Sequence, residues 1–527
     1  MKTLKFSTMI FAAIAAIGLL MASATTVIAA ETYDVVILNG RVMDPETKLD
    51  AARNIGVKDG KIVAITKDNI QGKEAINAKD HVVAPGFIDM HDHTTAAPFG
   101  QKLALRDGVT TPMELEAGVY PVDTWYAYLE GKSQTNYGAS VGTIPVRETL
   151  LNPEYKTKAY GDFLYDMQCP HKTHTSMKWS TQLATDKQIE QIGKMLEKGL
   201  RQGAIGIGHC PGYMVSGSTQ KESNIAQKIA GKYGVSTFIH GRFSSQKPPT
   251  SGLLSIDEMM APQAIYGGGV VIQHMTAQTL AVTPQALQLI DDARAKGTKV
   301  LAEIYPYDFG GTIAGADYLH PDNYGPMMGR DYKDIIEVAT MKPLDKARYD
   351  ELVKTAPGTS VMFYNATKET VYKALAHPNT VLGSDSYPYT IRKTGGPAIA
   401  WDTPYDGVNG HPRGAGAHAK LLRLVREKKV DIPLIEGISK MTYLIAKFLE
   451  DNGVEQMAHK GRIQVGADAD VTIFDPKTVT DNSTMKDGGL LSTGIPYVIV
   501  NGTIVVKDSK VLKDVYPGKA IRLPVKK

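Results

Sequence analysis

The most constraining feature of this 527-residue chain is a series of eight short apolar runs, most of them ending in polar residues. They are Val82 to His91, Gly108 to Glu116, Ala139 to Ile144, Ala204 to Gly208, Val235 to His240, Gly269 to His274, Thr298 to Tyr305 and Thr380 to Asp385. Continuous apolar runs suit strands covered on both faces. A helical stretch from Lys187 to Arg201 precedes the fourth run, and strand alternating with helix argues a parallel sheet. Eight such units fit a (β/α)8 TIM barrel, whose chemistry sits at the C-terminal strand ends.

The two chain ends read differently. Tyr33 to Leu38 alternates into Asn39-Gly40, and Asn54 to Val57 and Lys61 to Ile65 flank Asp59-Gly60, a strong hairpin signal. Asp470 to Phe474, then Tyr497 to Val500 and Thr503 to Val506 around Asn501-Gly502, repeat that pattern near the C-terminus. Neither end makes a sheet core alone. Together they predict one small β-sandwich, with the barrel inserted between its halves. The expected organisation is 1–30 export signal, 31–84 first sandwich part, 85–455 barrel and 456–527 second sandwich part.

Lys2 and Lys5, an apolar core from Met9 to Met21 too short to span a bilayer, and small residues up to Ala30 read as a cleaved leader. The expected location is therefore periplasmic or secreted, with no membrane anchor. A net charge of +4, spread along the chain, gives no sign of a nucleic-acid groove. Export allows a disulfide between the two cysteines, Cys169 and Cys210; Cys210 as a free thiol or ligand beside the site is the alternative.

The strand ends carry the chemistry. His91 and His93 lie one residue apart, so on a strand both imidazoles aim at one point. Glu114 and Glu116 end the second run, His240 the fifth, His274 the sixth and Asp385 the eighth. A lone strand ending in histidine is most often incidental. Three such strands with acids on the same rim point to a metal centre, of zinc or a related divalent ion.

Ala84 to His93 resembles the opening strand of the amidohydrolase superfamily. Nearly the whole mature chain resembles its D-aminoacylase (N-acyl-D-amino-acid deacylase) branch. The similarity is carried by Gly108-Val109-Thr110-Thr111, Ala302 to Tyr307, Gly383-Ser384-Asp385, His411-Pro412-Arg413, and Lys460-Gly461-Arg462 with Gly466 to Asp470. The resemblance implies the barrel-plus-sandwich fold and one or two metal ions. It implies that His91 and His93 hold one metal position and His240 and His274 another. Asp385 becomes the acid/base, Arg413 the grip on a substrate carboxylate, and Tyr305 a pocket wall that orients the scissile carbonyl. Arg413 as a structural ion-pair residue is equally good physics.

The chain also departs from the family. The fourth run ends at Gly208-His209-Cys210, without the lysine that bridges two metals in many members. The branch's cysteine after the second strand is absent; Glu116 is the expected substitute ligand and Glu114 the runner-up, with one of the pair backing a metal-bound histidine. His209 is a candidate extra ligand or pocket donor. A lysine often found two residues after the sixth-strand histidine is Thr276 here. A block from about Gly311 to His377 covers the rim, and the loop before His411 carries Tyr387, Tyr389, Trp401 and Tyr405 as loop packing or as an acyl pocket.

A divalent ion lowers the pKa of its water from about 15.7 towards 7, supplying hydroxide at neutral pH, and polarises a carbonyl. Asp385 takes the water's proton and returns it to the departing amine. The leading expectation is hydrolysis of a linear amide in an N-acyl (D-)amino acid or small peptide. The alternatives are a cyclic amide, a lactone or a deamination on the same fold, or a non-catalytic periplasmic binding protein. The partner is a small, carboxylate-bearing molecule, with a homo-oligomer left open.

Overall fold

The computed structural model describes residues 33–152 and 178–526. The expected leader and Cys169 lie outside these residues.

All eight runs become strands of one parallel sheet, in order Phe87–Asp89, Val109–Val119, Tyr137–Gly142, Gly206–His209, Ser236–Ile239, Gly269–Ile272, Val300–Ile304 and Thr380–Leu382. The first and eighth strands meet through the Asp92–Ser386 bridge and a hydrogen bond from His93 N–H to Ser386 O (3.0 Å). The buried Asp89 carboxylate also accepts the Ser384 N–H at 3.1 Å. Every residue of the second, third, fifth, sixth and seventh strands is buried, as a sheet covered on both faces requires.

The helices pack outside this wall. Asp186–Arg201 begins with a Thr185/Gln188 capping box, which satisfies two of the orphan N–H groups. Its Ile192, Leu196 and Leu200 bury against Val141, Ile207 and Val235. Each such side chain contributes about 1.5–3 kcal/mol, and Leu196→Ala would cost about 2–5 kcal/mol.

Both chain ends build the second sheet, which is mostly antiparallel and curls around its own core of Ile37, Val57, Val83 and Ile473. Val82–Pro85 joins the halves. It pairs in parallel with Tyr33–Asp44 (Val83 opposite Val42) and antiparallel with Val471–Phe474 (Val83 opposite Ile473). The run expected as one strand from Val82 to His91 is therefore two. It divides at Gly86, whose N–H bonds Asp470 O and whose missing side chain leaves room for Thr110.

Two further expectations are corrected. Asn39-Gly40 is not a turn but a bulge within the twelve-residue strand Tyr33–Asp44. Asn39 takes φ 62° with its N–H on Asn54 Oδ1, and the strand continues because Arg41 and Val42 find partners on both sides. The Asp59-Gly60 and Asn501-Gly502 pairs do form two-residue turns, with φ of 50° and 76° and of 46° and 80°. The C-terminal part does not belong wholly to the sandwich: Ala520–Ile521 adds a parallel strand beside Tyr137–Gly142 of the barrel.

Between the seventh and eighth strands, the expected rim block is a small unit of its own. Phe309–Ile313, Ser360–Tyr364, Ile335–Glu337 and Lys342–Pro343 form a four-stranded antiparallel sheet. Its first two strands lean over the barrel mouth.

Candidate metal centre

His91 and His93 follow the first strand, with alternate residues on one side. His91 Nδ1–H donates to Glu303 Oε2 (2.9 Å), and His93 Nδ1–H donates to Glu114 Oε2 (2.9 Å). These bonds orient both rings and turn both Nε2 atoms towards one point. His91 Nε2 lies 3.5 Å from Glu116 Oε2 and 3.3 Å from Asp385 Oδ1; His93 Nε2 lies 3.5 Å from each. On the other side, Glu116 Oε1 is 2.9 Å from His240 Nδ1 and 2.8 Å from His274 Nε2. All eight side chains are buried or nearly so.

The second strand explains why Glu116 reaches this position. Its register with the third strand slips between Glu114 and Val119, a bulge that re-aims side chains at the rim. Gly118 takes φ 66° there and donates its N–H to Glu114 Oε1. Gly142 and Gly208 face the bulge, where a Cβ would collide with the carbonyls of Ala117 and Glu116. Two site residues also hold left-handed backbone, His274 at φ 32° and Asp385 at φ 50°. Such conformations cost of order 1–3 kcal/mol and persist where surroundings impose them; His274 N–H is tied to Glu303 Oε2 at 2.7 Å.

The cluster draws positive charge. Burial opposes protonation of His91, yet Asp385, Glu116 and Glu303 together push it up to about 10. Burial likewise opposes ionisation of Glu116, but His91 and His240 hold it well below the carboxylate range. Two observations fit a divalent ion. Among the described residues, the buried Nε2 of His91 has no hydrogen-bond partner although four potential ligand atoms surround it. The 3.3–3.5 Å spacings of His91 and His93 Nε2 from the two carboxylates match the edge of about 3.3 Å in a tetrahedron with bonds of 2.0–2.1 Å. His91, His93 and Asp385 form one such group; His91, Glu116 and His274 form the other.

Asp385 is held on two sides. Its Oδ1 faces His91 and His93, and its Oδ2 lies 2.8 Å from Arg413 Nη1. Burial opposes its charge, but Arg413 and His91 depress the carboxyl far below its usual range. Arg413, 1% exposed, stacks over Tyr305 (4.8 Å) and donates to Gly311 O (3.3 Å). The ion-pair alternative for Arg413 is thus what the geometry displays, while its Nε keeps no hydrogen-bond partner among the described residues. Tyr305 lines the cavity, and its hydroxyl accepts Asn365 Nδ2–H at 2.8 Å.

The remaining candidates are elsewhere engaged. His209 is no ligand: it is bonded through Nδ1 to Thr143 and through Nε2 to Ser223, and burial lowers it to about 3. Cys210 is a buried free thiol that donates to Glu116 O. Tyr389 and Trp401 are loop packing: the phenol donates to His411 O and the indole to Gln134.

Sequence reasoning missed Glu303, which backs His91 and His274 together. Its only signal was a carboxylate inside an apolar run, one residue before the end of the seventh strand. It also missed Gln278, set 3.2 Å from His274 Nδ1, and Tyr213 and Tyr318, whose rings pack on His240 at 4.6 and 5.2 Å.

Comparisons with known proteins agree with this picture. No protein-family model matches the chain. It is 26% identical over 507 residues to an N-acyl-D-glutamate deacylase of Alcaligenes xylosoxydans xylosoxydans, covering 90% of this chain and 94% of that protein. It is 25% identical over 512 residues to a D-aminoacylase of the same organism, covering 90% and 95%. Among solved structures, the N-acyl-D-glutamate deacylase of Bordetella bronchiseptica, complexed with zinc and a phosphonate mimic of the tetrahedral intermediate, superposes with a TM-score of 0.73 at 23% identity, covering 93% of this chain and all of that one. A D-aminoacylase structure gives 0.71 at 20% identity, again covering 93% and all. At these identities the structural likeness speaks for the fold.

Proposed function

Because the chain belongs to the D-aminoacylase branch of the amidohydrolase superfamily, we propose that it is a metal-dependent hydrolase of linear amides, acting on N-acyl-D-amino acids. The observation that carries the reading is Glu116, whose two oxygens face the donor nitrogens of all four histidines. Zinc is the metal proposed, held by His91, His93, Glu116, His240 and His274, with Asp385 at its edge. When bound, it supplies an acidified water and a polarised carbonyl.

The chain's own groups do the rest. Asp385 is kept charged by Arg413, so it can accept the water's proton on Oδ1 and hand it to the leaving nitrogen. Arg413 holds the far oxygen of Asp385 and offers its free Nε edge to the substrate carboxylate. Burial pushes the Tyr305 phenol far up, so it stays protonated and can donate to the scissile carbonyl. A cyclic amide or lactone that carries no carboxylate would leave the Arg413 edge without a role. We further propose export through the segment Met1 to Ala30, supported by its basic start and apolar core.

The test is amine release from matched N-acyl-D- and N-acyl-L-amino acids by protein of measured metal content. Release from the D series, lost on chelation and restored by zinc, is the expected result. No release from any member of either series would overturn the reading.

A further inference from the structure

The rim sheet reaches the centre through Asn365, the residue after its strand Ser360–Tyr364. Asn365 is 5% exposed and is held by its backbone: its N–H donates to Asp308 O at 3.0 Å, and its carbonyl accepts Arg330 Nη2–H at 2.6 Å. Its side chain is tied at both ends. Oδ1 accepts the Ala366 N–H at 2.6 Å, and Nδ2 donates to Tyr305 Oη at 2.8 Å. The first bond settles the second, because it identifies which end of the amide is oxygen.

A phenol oxygen both donates and accepts, whereas an amide nitrogen only donates. Conjugation with the ring keeps the phenol O–H near the ring plane, with two directions open to it. Asn365 Nδ2–H occupies one of them, since two donors do not face each other. The proton of Tyr305 is left to the other. Tyr305 and Gly310 both line the cavity beside the centre, and the glycine keeps the phenol approachable: a Cβ there would stand 3.0 Å from Oη and 3.2 Å from Asn365 Nδ2.

Resting on the deacylase reading above, we infer that Asn365 is a positioning residue: it turns the Tyr305 O–H into the cavity, where a substrate oxygen accepts it. A bond donated to Oη also polarises the O–H beyond it and strengthens the outgoing bond. The barrel supplies the donor, and the rim unit supplies the group that aims it.

The test uses zinc-loaded protein and the N-acetyl-D-amino acid that the wild type cleaves best. Asn365→Leu should lower kcat/KM about 10- to 100-fold. In a Tyr305→Phe background the same change should cost less than about threefold, because the group it acts through is gone. Full additivity of the two changes overturns the inference. Asn365→Asp keeps the shape but puts an acceptor on Oη, which draws the phenol O–H away from the cavity. It should be at least as damaging as Asn365→Leu; a purely packing role gives the opposite order, and near-wild-type activity in Asn365→Asp overturns the aim. Neutron diffraction from deuterium-exchanged crystals reads the direction without turnover. The Oη deuteron of Tyr305 should point into the cavity, and a deuteron directed at Asn365 overturns the inference. If it points into the cavity but no amide is cleaved, the hydrolase reading fails and the aim of the phenol stands.

Discussion

Arg413 Nη1 lies 2.8 Å from Asp385 Oδ2, and both side chains are shut away from solvent. One cation thereby keeps the proposed base charged in a buried site, where an isolated carboxyl would take up a proton. Removing the guanidinium with Arg413→Gln should raise the Asp385 pKa by about 1–3 units. Loss of the charged base then starts at higher pH, so the acid limb of the kcat/KM profile moves upward. A variant with the wild-type acid limb would show that Arg413 does not set this group. KM should also rise more for N-acyl amino acids than for their uncharged amides.

Asp385→Asn keeps the size of the side chain and removes the proton acceptor. Turnover should fall about 100- to 10,000-fold, while metal content by atomic emission stays at the wild-type value. Full activity in this variant would take Asp385 out of the mechanism.

Glu116 faces four imidazoles, so its loss should empty the centre. Glu116→Ala should be purified with far less metal per chain, whereas Glu116→Cys, which restores an anionic ligand on the same strand, should recover it. Wild-type metal content in Glu116→Ala would disprove the bridging role. Glu303→Gln tests the layer behind. Orienting carboxylates of this kind are worth about 10- to 100-fold in metal affinity, so a weaker zinc dissociation constant of that size is expected, with the fold unchanged by circular dichroism.

Lys460 ties the two domains together. Its ammonium, 5% exposed, lies 2.7 Å from Asp470 and 2.8 Å from Asp468. Asp470 also accepts from Asn136 of the barrel at 2.9 Å and from Asn501 N–H of the sandwich at 2.7 Å. Lys460→Met leaves Asp470 buried without its cation and should cost about 3–5 kcal/mol at pH 7 by urea unfolding. Burial opposes the Lys460 charge, yet Asp470 and Asp468 raise its pKa above the ordinary value. Its contribution is therefore fully present below about pH 10.4 and drains as pH rises through the folded-state value. Asp468 is shifted down, mainly by Lys460 against the effect of burial. Its share is present above about pH 3.9 and drains as pH falls through its folded value. The wild-type advantage over Lys460→Met should narrow at both extremes and be widest between them.

Much of this molecule is written in local pattern. Strand periodicity alone puts His91 with His93, and Glu114 with Glu116, on common faces, because side chains alternate along any strand. Apolar runs of the right length made eight strands legible, and all eight appear in the barrel. What periodicity could not separate was the pair of glutamates. Only the bulge before Val119 sends Glu116 among the imidazoles and leaves Glu114 behind His93. Glu303 was invisible for a related reason: its bond to His91 spans 212 residues, and nothing local to either announces the other. The same holds for Gly86, where competing partners from two sheets divide one apolar run, and for Asn39-Gly40, where pairing on both flanks turns a turn signal into a bulge. The sequence by itself determined which side chains stand at strand ends, since chain geometry settles that within a few residues. Which of them touch, and which one keeps another charged, was decided by closure of the barrel, since burial and electrostatic pairing depend on distances that only the assembled fold defines.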